Sequence, residues 1–104
     1  IATIAMTRSV EIDSYILETL LVDLVGHDRA PSSYVVYLYL WHRTFGSGEK
    51  SVRASHQTIA AETGFSKSGV QAALRHLNRR RLVRSVRETQ TATPQHFVLQ
   101  PWRR

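Results

Sequence analysis

The sequence of 104 residues contains no cysteine, three prolines, one methionine and no long apolar run. Without cysteine, disulfide scaffolds, thiol nucleophiles, iron–sulfur clusters and cysteine-ligated zinc sites are excluded. No stretch approaches the roughly 18 apolar residues of a transmembrane helix, and residues 1–7 lack the basic start and apolar run of a secretory signal. We therefore expect a cytoplasmic domain without membrane segments.

Motifs that would indicate catalysis or a cofactor are missing as well. There is no phosphate-binding GxGxxG or GxxxxGK[ST] pattern, and no nucleophile elbow. The histidines are scattered, with no pair at the spacing of metal ligands; they are His27, His42, His56, His76 and His96. The sequence thus predicts neither an enzyme nor a protein with a metal or cofactor.

The basic residues are concentrated in the second half of the chain. Residues 1–52 carry four Lys and Arg against six Asp and Glu, a net charge of −2. Residues 53–104 carry ten against two, a net charge of +8. Such asymmetry is typical of a scaffold with a polyanion-binding surface, although a solvated charged face is an alternative. The length suits one domain.

Apolar periodicity predicts helices in the first half. An extended arm over residues 1–11 should precede a helix capped by Asp13 and ended by Gly26. A second helix, Pro31–Phe45, is apolar on nearly every face and should be central, with Leu38 and Trp41 against Ile59, Leu74 and Leu77. The first helix carries a single apolar stripe that should serve as core or as an oligomer contact: Ile16, Leu17, Leu20, Leu21, Leu24 and Val25.

In the second half of the chain, capping serines and glycines mark the ends of several short helices and strands. A brief strand over Ser51–Ala54 should lead to Ser55, the N-cap of a helix His56–Thr63 that Gly64 ends. Ser66 should cap a further helix, Lys67–Arg81. The remaining segments, Leu82–Arg87 and Gln95–Gln100, predict a β-hairpin with a long loop between its strands.

The two helices around Gly64 resemble the helix-turn-helix of winged-helix DNA-binding proteins. The resemblance rests on Ser51–Ser55, Ile59–Ser66, Val70–Leu77, Leu82-Val83 and Phe97–Leu99, and covers about two-thirds of the chain. It is closest in kind to GntR- and MarR-type regulators and to the N-terminal domains of plasmid or phage replication initiators. One departure is Arg81, where many members of the family have glycine.

This resemblance implies a mainly α fold with a small β-hairpin wing and an extra N-terminal helix, divided into an arm and accessory helix (1–30) and a winged-helix domain (31–104). It implies sequence-specific binding of double-stranded DNA in the bacterial nucleoid, by a transcriptional regulator or, alternatively, a replication initiator. A winged-helix protein-interaction module is a further alternative. Family members commonly form dimers, for which the surface would be Ile16, Leu17, Leu20, Leu21 and Leu24.

The resemblance also implies which residues would contact DNA. Four residues of the second helix would meet base edges in the major groove: Lys67, Ser68, Gln71 and Arg75. Gln71 suits an adenine edge and Arg75 a guanine edge. The residues expected at the DNA backbone are Arg53, Ser55, Ser66, Arg79, Arg80, Arg81, Arg84 and Arg87. The alternative for each is an ordinary solvated side chain.

Overall fold

The computed structural model describes residues 8–103, about half of them helical. Two π-helical stretches, Ile16–Leu20 and Val22–His27, form an N-terminal helical segment. The other elements are α1 (Pro31–Arg43), a 3-10 turn (Phe45–Ser47), β1 (Ser51–Arg53), α2 (His56–Thr63), α3 (Lys67–Arg79), β2 (Val83–Val86) and β3 (Gln95–Val98). The prediction of a mainly helical fold with a β-hairpin is confirmed at this level. Most of the predicted N-terminal arm, and Arg104, lie outside the described residues.

The N-terminal helical segment differs from the predicted α-helix. Its hydrogen bonds join residues five apart, as between Asp28 N–H and Asp23 C=O at 2.8 Å. Gly26 therefore lies inside the segment, and the chain reverses at Arg29, whose φ is 53°. Residues four apart in a helix lie on nearly the same face. Ile16, Leu20 and Leu24 are consequently buried, whereas the rest of the predicted stripe, Leu17, Leu21 and Val25, is exposed.

Asp13 does not cap this segment, contrary to the sequence prediction. Its carboxylate instead accepts hydrogen bonds from the C-terminal segment: from Gln100 Nε2 at 2.9 Å, Trp102 Nε1 at 3.0 Å, and Arg103 Nε and Nη2, both at 2.8 Å. A charged guanidinium is a stronger hydrogen-bond partner for a carboxylate than a neutral backbone N–H. The Asp13 carboxylate therefore binds Arg103 and does not cap the helical segment. These bonds lower the pKa of Asp13, that from Arg103 most of all, followed by that from Trp102.

Helix α1 is the central element, as its sequence predicts. Val36, Tyr37 and Leu40 are fully buried, and Trp41 is nearly so. Leu38, predicted to be buried with Trp41, is only half-buried. The helix ends at Arg43 rather than Phe45, because Thr44 leaves the helical conformation, with φ −109° and ψ −82°, and the chain passes into the 3-10 turn. The other predicted core residues, Ile59, Leu74 and Leu77, are all buried in the same cluster.

The strands form one antiparallel sheet in the order β1-β3-β2. Ser51 pairs with Phe97 across β1 and β3, and Arg84 pairs with Phe97 across β2 and β3. Side chains alternate between the two faces of a strand. Val83 and Val98 are buried on the inner face, toward the helices, while Arg84 and Phe97 lie on the outer face. The predicted hairpin is confirmed, with strands shorter than predicted.

The caps of α2 and α3 and the turn between these helices are formed by the residues predicted from the sequence. The Ser55 hydroxyl accepts the Thr58 N–H and the Ser66 hydroxyl accepts the Gly69 N–H, each at 3.0 Å. Gly64 ends α2 with a φ of 88°, a left-handed conformation that suits a residue without a Cβ. Helix α3 stops at Arg79, two residues earlier than predicted. It stops because Arg81 adopts a left-handed conformation with a φ of 58°.

Candidate nucleic-acid interface

Helix α3 separates apolar from polar side chains by face. Val70, Ala73, Leu74 and Leu77 are buried against α1 and α2. The opposite face carries four exposed polar residues, Lys67, Ser68, Arg75 and Arg79, with Gln71 half-buried among them. Lys67, Gln71 and Arg75 are four residues apart, so they form one row along the helix. All four residues predicted to meet bases are therefore accessible to a ligand.

An open groove of about 270 Å³ lies where α3 meets the start of α2 and the hairpin loop. Lys67 and Gln71 form its α3 wall, Ser55 and His56 its α2 wall, and Arg87 with residues 91–94 the remaining side. None of the residues that line it is acidic. Residues far apart in the sequence thus form one electropositive concavity beside the exposed row of α3.

His56 belongs to this groove, although the sequence singled it out only as one of five scattered histidines. It is the first residue of α2, and its ring is half-buried. Burial lowers the pKa of His56, and the positive charges of Arg87 and Lys67 lower it further. A phosphate placed between these cations would reverse that effect and favour the protonated ring. In the sequence, only the position of His56 directly after the N-cap Ser55 indicated that it lies at the start of a helix, where an anion could bind.

The side chains of the two capping serines already form hydrogen bonds within the protein. The Ser55 hydroxyl accepts from the Thr58 N–H and also lies 3.0 Å from Thr58 Oγ1. The Ser66 hydroxyl accepts from the Gly69 N–H and lies 3.3 Å from Ser68 Oγ. Both side chains stabilise helix starts at the interface, and any contact they make to an anion would be added to this role.

The remaining arginines predicted for the DNA backbone do not form one surface. Arg79, Arg80 and Arg81 lie together at the end of α3, where Arg80 Nε is 3.0 Å from Asp28 Oδ2. Arg53 and Arg84 lie on the outer face of the sheet, away from α3. Of this predicted set, only Ser55 and Arg87 line the groove beside Lys67 and Gln71.

A buried chain of hydrogen bonds fixes the hairpin relative to α3. Asn78 Oδ1 accepts the Ser85 N–H at 3.0 Å, and Ser85 Oγ lies 2.7 Å from Nδ1 of the fully buried His96. His96 Nε2 donates to Ala54 C=O at 3.0 Å, so Nδ1 is the acceptor from Ser85. Burial lowers the pKa of His96. The network joins α3, both hairpin strands and the segment before α2, the elements next to the walls of the groove.

Other kinds of site find no support in the described part of the chain. Within residues 8–103, no three His, Asp or Glu side chains are grouped so that they could hold a metal ion. In the same range, no helix has the length and apolarity needed to cross a membrane. Comparisons with protein-family models, with curated proteins and with solved structures find no match to this chain.

Proposed function

We propose that this chain is a winged-helix domain that binds double-stranded DNA sequence-specifically, with α3 in the major groove and the hairpin loop against the backbone. In this arrangement Gln71 and Arg75 read base edges. Arg87 and His56 contact phosphates at the side of α3. The role proposed first is transcriptional regulation, and replication initiation is the alternative that the resemblance to plasmid and phage initiators implies.

The observation that carries the proposal is the groove between α2, α3 and the hairpin loop. Lys67 and Arg87 supply positive charge there, protonation of His56 beside a bound phosphate would add to it, and no carboxylate lines the groove. Binding to the phosphate backbone of DNA depends on positive side chains that neutralise the phosphates. Gln71 lies in the same groove, and its side-chain amide can hydrogen-bond to the edge of a base. A residue suited to reading bases is therefore next to residues suited to binding DNA phosphates.

The dimensions of α3 also favour this proposal. Its 13 residues give a length of about 20 Å at 1.5 Å per residue. The major groove of B-DNA is about 12 Å wide and accepts one α-helix. The exposed row Lys67, Gln71 and Arg75 begins at the N-terminal end of α3, where the partial positive charge of the helix adds to that of Lys67.

The proposal is tested by selecting duplexes from a random pool and measuring affinity by fluorescence anisotropy at several salt concentrations. Arg75→Ala should cost about 1–3 kcal/mol on the selected site and relax the preference at one base pair. Arg87→Ala should weaken all duplexes alike and flatten the slope of log affinity against log salt by about one. Lys50→Ala, an exposed cation away from the groove, is the matched control. Absence of duplex binding at low salt would refute the proposal.

A second candidate, a homodimer or protein-interaction module, is favoured by one feature of the N-terminal helical segment. Leu17 and Val22 are 53% and 63% exposed, and Leu21 and Val25 adjoin them. Ile16, Leu20 and Leu24, predicted for the same surface, are buried in the protein's own core and cannot contribute. If the exposed residues form a dimer, light scattering will show a dimer that Leu17→Asp converts to a monomer. A monomer at high concentration would exclude the homodimer, whereas a protein-interaction module predicts loss of partner binding in Leu17→Asp.

A further inference from the structure

The outer face of the sheet carries a second basic surface, separate from the groove beside α3. Arg53 of β1 and Arg84 of β2 flank the β3 residues Gln95 and Phe97 on this face. The helices cover the opposite face, where His96 and Val98 are buried. Because adjacent residues of a strand point to opposite faces, a ligand on Phe97 would not compete for space with one on α3.

At one end of this face lies an open groove of about 330 Å³. Its floor is apolar and is formed by Phe45, Phe97 and Leu99. Its rim is basic: the guanidinium carbon of Arg84 lies 4.4 Å from the centre of the Phe97 ring, and Lys50 and Arg103 complete the rim. No acidic side chain lines it.

The charge of this rim is only partly neutralised within the protein. Arg103 is paired with Asp13 at 2.8 Å. In the described part of the chain, neither Lys50 nor Arg84 forms an ion pair. An apolar floor between unpaired cations complements a ligand that carries both an apolar side chain and carboxylates.

We propose that this groove, on the outer face of the sheet, docks an acidic peptide segment of a partner protein, with one aromatic or leucine side chain on the floor formed by Phe45, Phe97 and Leu99. Carboxylates on either side of that anchor pair with Arg84 and Lys50. Arg84 is pre-ordered by its contact with Phe97, so little side-chain entropy is lost when it binds a carboxylate. The volume suits a single large side chain, not a whole helix.

A peptide fits this groove better than single-stranded nucleic acid does. Proteins that bind single strands stack successive bases on several exposed aromatic rings. Here Phe97 is covered by Arg84, and Phe45 packs on Trp41 with ring centres 4.6 Å apart. One side of each ring is therefore covered, so the two rings do not offer a series of free faces for successive bases. The partly exposed remainder of Phe45, Phe97 and Leu99 still offers contact to a single apolar side chain.

The test uses the whole chain and a short fluorescein-labelled peptide in which Asp and Glu alternate with Phe and Leu. Fluorescence anisotropy should show saturable binding that Arg84→Glu weakens by about tenfold or more, the loss expected when an attractive ion pair becomes repulsive. Arg75→Glu makes the same charge change on α3 and should leave peptide affinity unchanged while weakening duplex binding. Both residues are exposed, and circular dichroism verifies that both variants fold.

Three results would overturn the proposal. The first is no saturable binding of the peptide, and the second is equal weakening by Arg84→Glu and Arg75→Glu, which would mean that only net charge matters. The third is Arg84-dependent binding of an oligothymidine that displaces the peptide, which would assign the groove to nucleic acid. Because duplex binding is measured on the same variants, failure of this proposal is distinguished from failure of the DNA-binding proposal.

Discussion

His76 Nε2 lies 2.9 Å from the Asp28 carboxylate, and this contact joins α3 to the segment that precedes α1. His76 Nδ1 faces Arg79 Nη2 at 3.4 Å, so Nδ1 accepts and Nε2 donates to Asp28. Asp28 also binds Arg80 Nε at 3.0 Å and is only 9% exposed. The hydrogen bond from His27 lowers the pKa of Asp28, and His76 and Arg80 add to that effect against the opposing influence of burial.

Asp28→Asn should lower the free energy of unfolding by about 1–3 kcal/mol, because it removes the charge that three donors share at a mostly buried position. Urea denaturation measures the change. Asp23→Asn is the matched control, since Asp23 is 44% exposed and lies 3.9 Å from Arg80. An equal effect of the two substitutions would show that general charge, not the buried contact, is responsible.

Arg81→Gly should raise stability. Arg81 has a φ of 58° at the position after a helix where glycine is usual. The Leu82 N–H bonds to Leu77 C=O at 3.0 Å and the Arg81 N–H to Asn78 C=O at 3.1 Å, so the turn is retained whichever residue occupies it. We expect a gain of about 1 kcal/mol, or roughly 4–8 °C in Tm. Arg81→Ala keeps the Cβ and should give no gain; an equal gain would attribute the effect to the lost charge.

Leu74→Ala should cost about 2–5 kcal/mol, because it leaves a cavity between α3 and α1. Leu74 is 4% exposed and belongs to the main core cluster. Leu17→Ala, the same change at a 53% exposed position, should alter stability by about 0.5 kcal/mol or less. Thermal and urea unfolding of both variants provide the measurement, and similar costs would contradict the core that the structure describes.

Acid should weaken the junction between Asp13 and the C-terminal segment. The pKa of Asp13 in the folded chain lies well below the unfolded value of 3.8, so the unfolded state binds a proton first as pH falls. The contribution of Asp13 to stability is complete above that value and is lost progressively below it. Urea titrations between pH 3 and 6 should show a fall toward low pH that is shallower in Asp13→Asn. Parallel curves for the two proteins would rule this role out.

If DNA phosphates enter the groove at His56, binding should tighten as pH falls. Burial, Arg87 and Lys67 lower the pKa of free His56, and a phosphate stabilises the protonated ring, so binding takes up a proton. Between pH 7.5 and 5.5, log affinity should rise with a slope of at most about one per pH unit. His56→Gln should remove this rise, whereas His42→Gln, at an exposed position on α1, should not. An unchanged rise in His56→Gln would assign the proton to another group.

Local rules account for much of the fold. Ser55, Gly64 and Ser66 set the boundaries of α2 and the start of α3, because capping bonds and left-handed turns involve only residues near in sequence. The spacing of the apolar residues in α3 predicted its buried face, and the same spacing left Lys67 and Arg75 exposed. Predictions from local sequence were wrong where residues distant in the chain make the contact. Asp13 was predicted to cap a helix but instead pairs with Arg103, near the other end of the chain.

The sequence by itself thus determined the order of the elements, the caps of α2 and α3, the central position of α1 and the exposed row on α3, since these follow from local bonds and from the burial of apolar side chains. Only the tertiary structure decided how the cations are grouped. Arg84 and Arg87 are three residues apart, yet Arg84 lies on Phe97 at the outer face while Arg87 lines the groove with His56. Side-chain direction along a strand and the register of β2 on β3 separate them, and neither is encoded in the local pattern of charge.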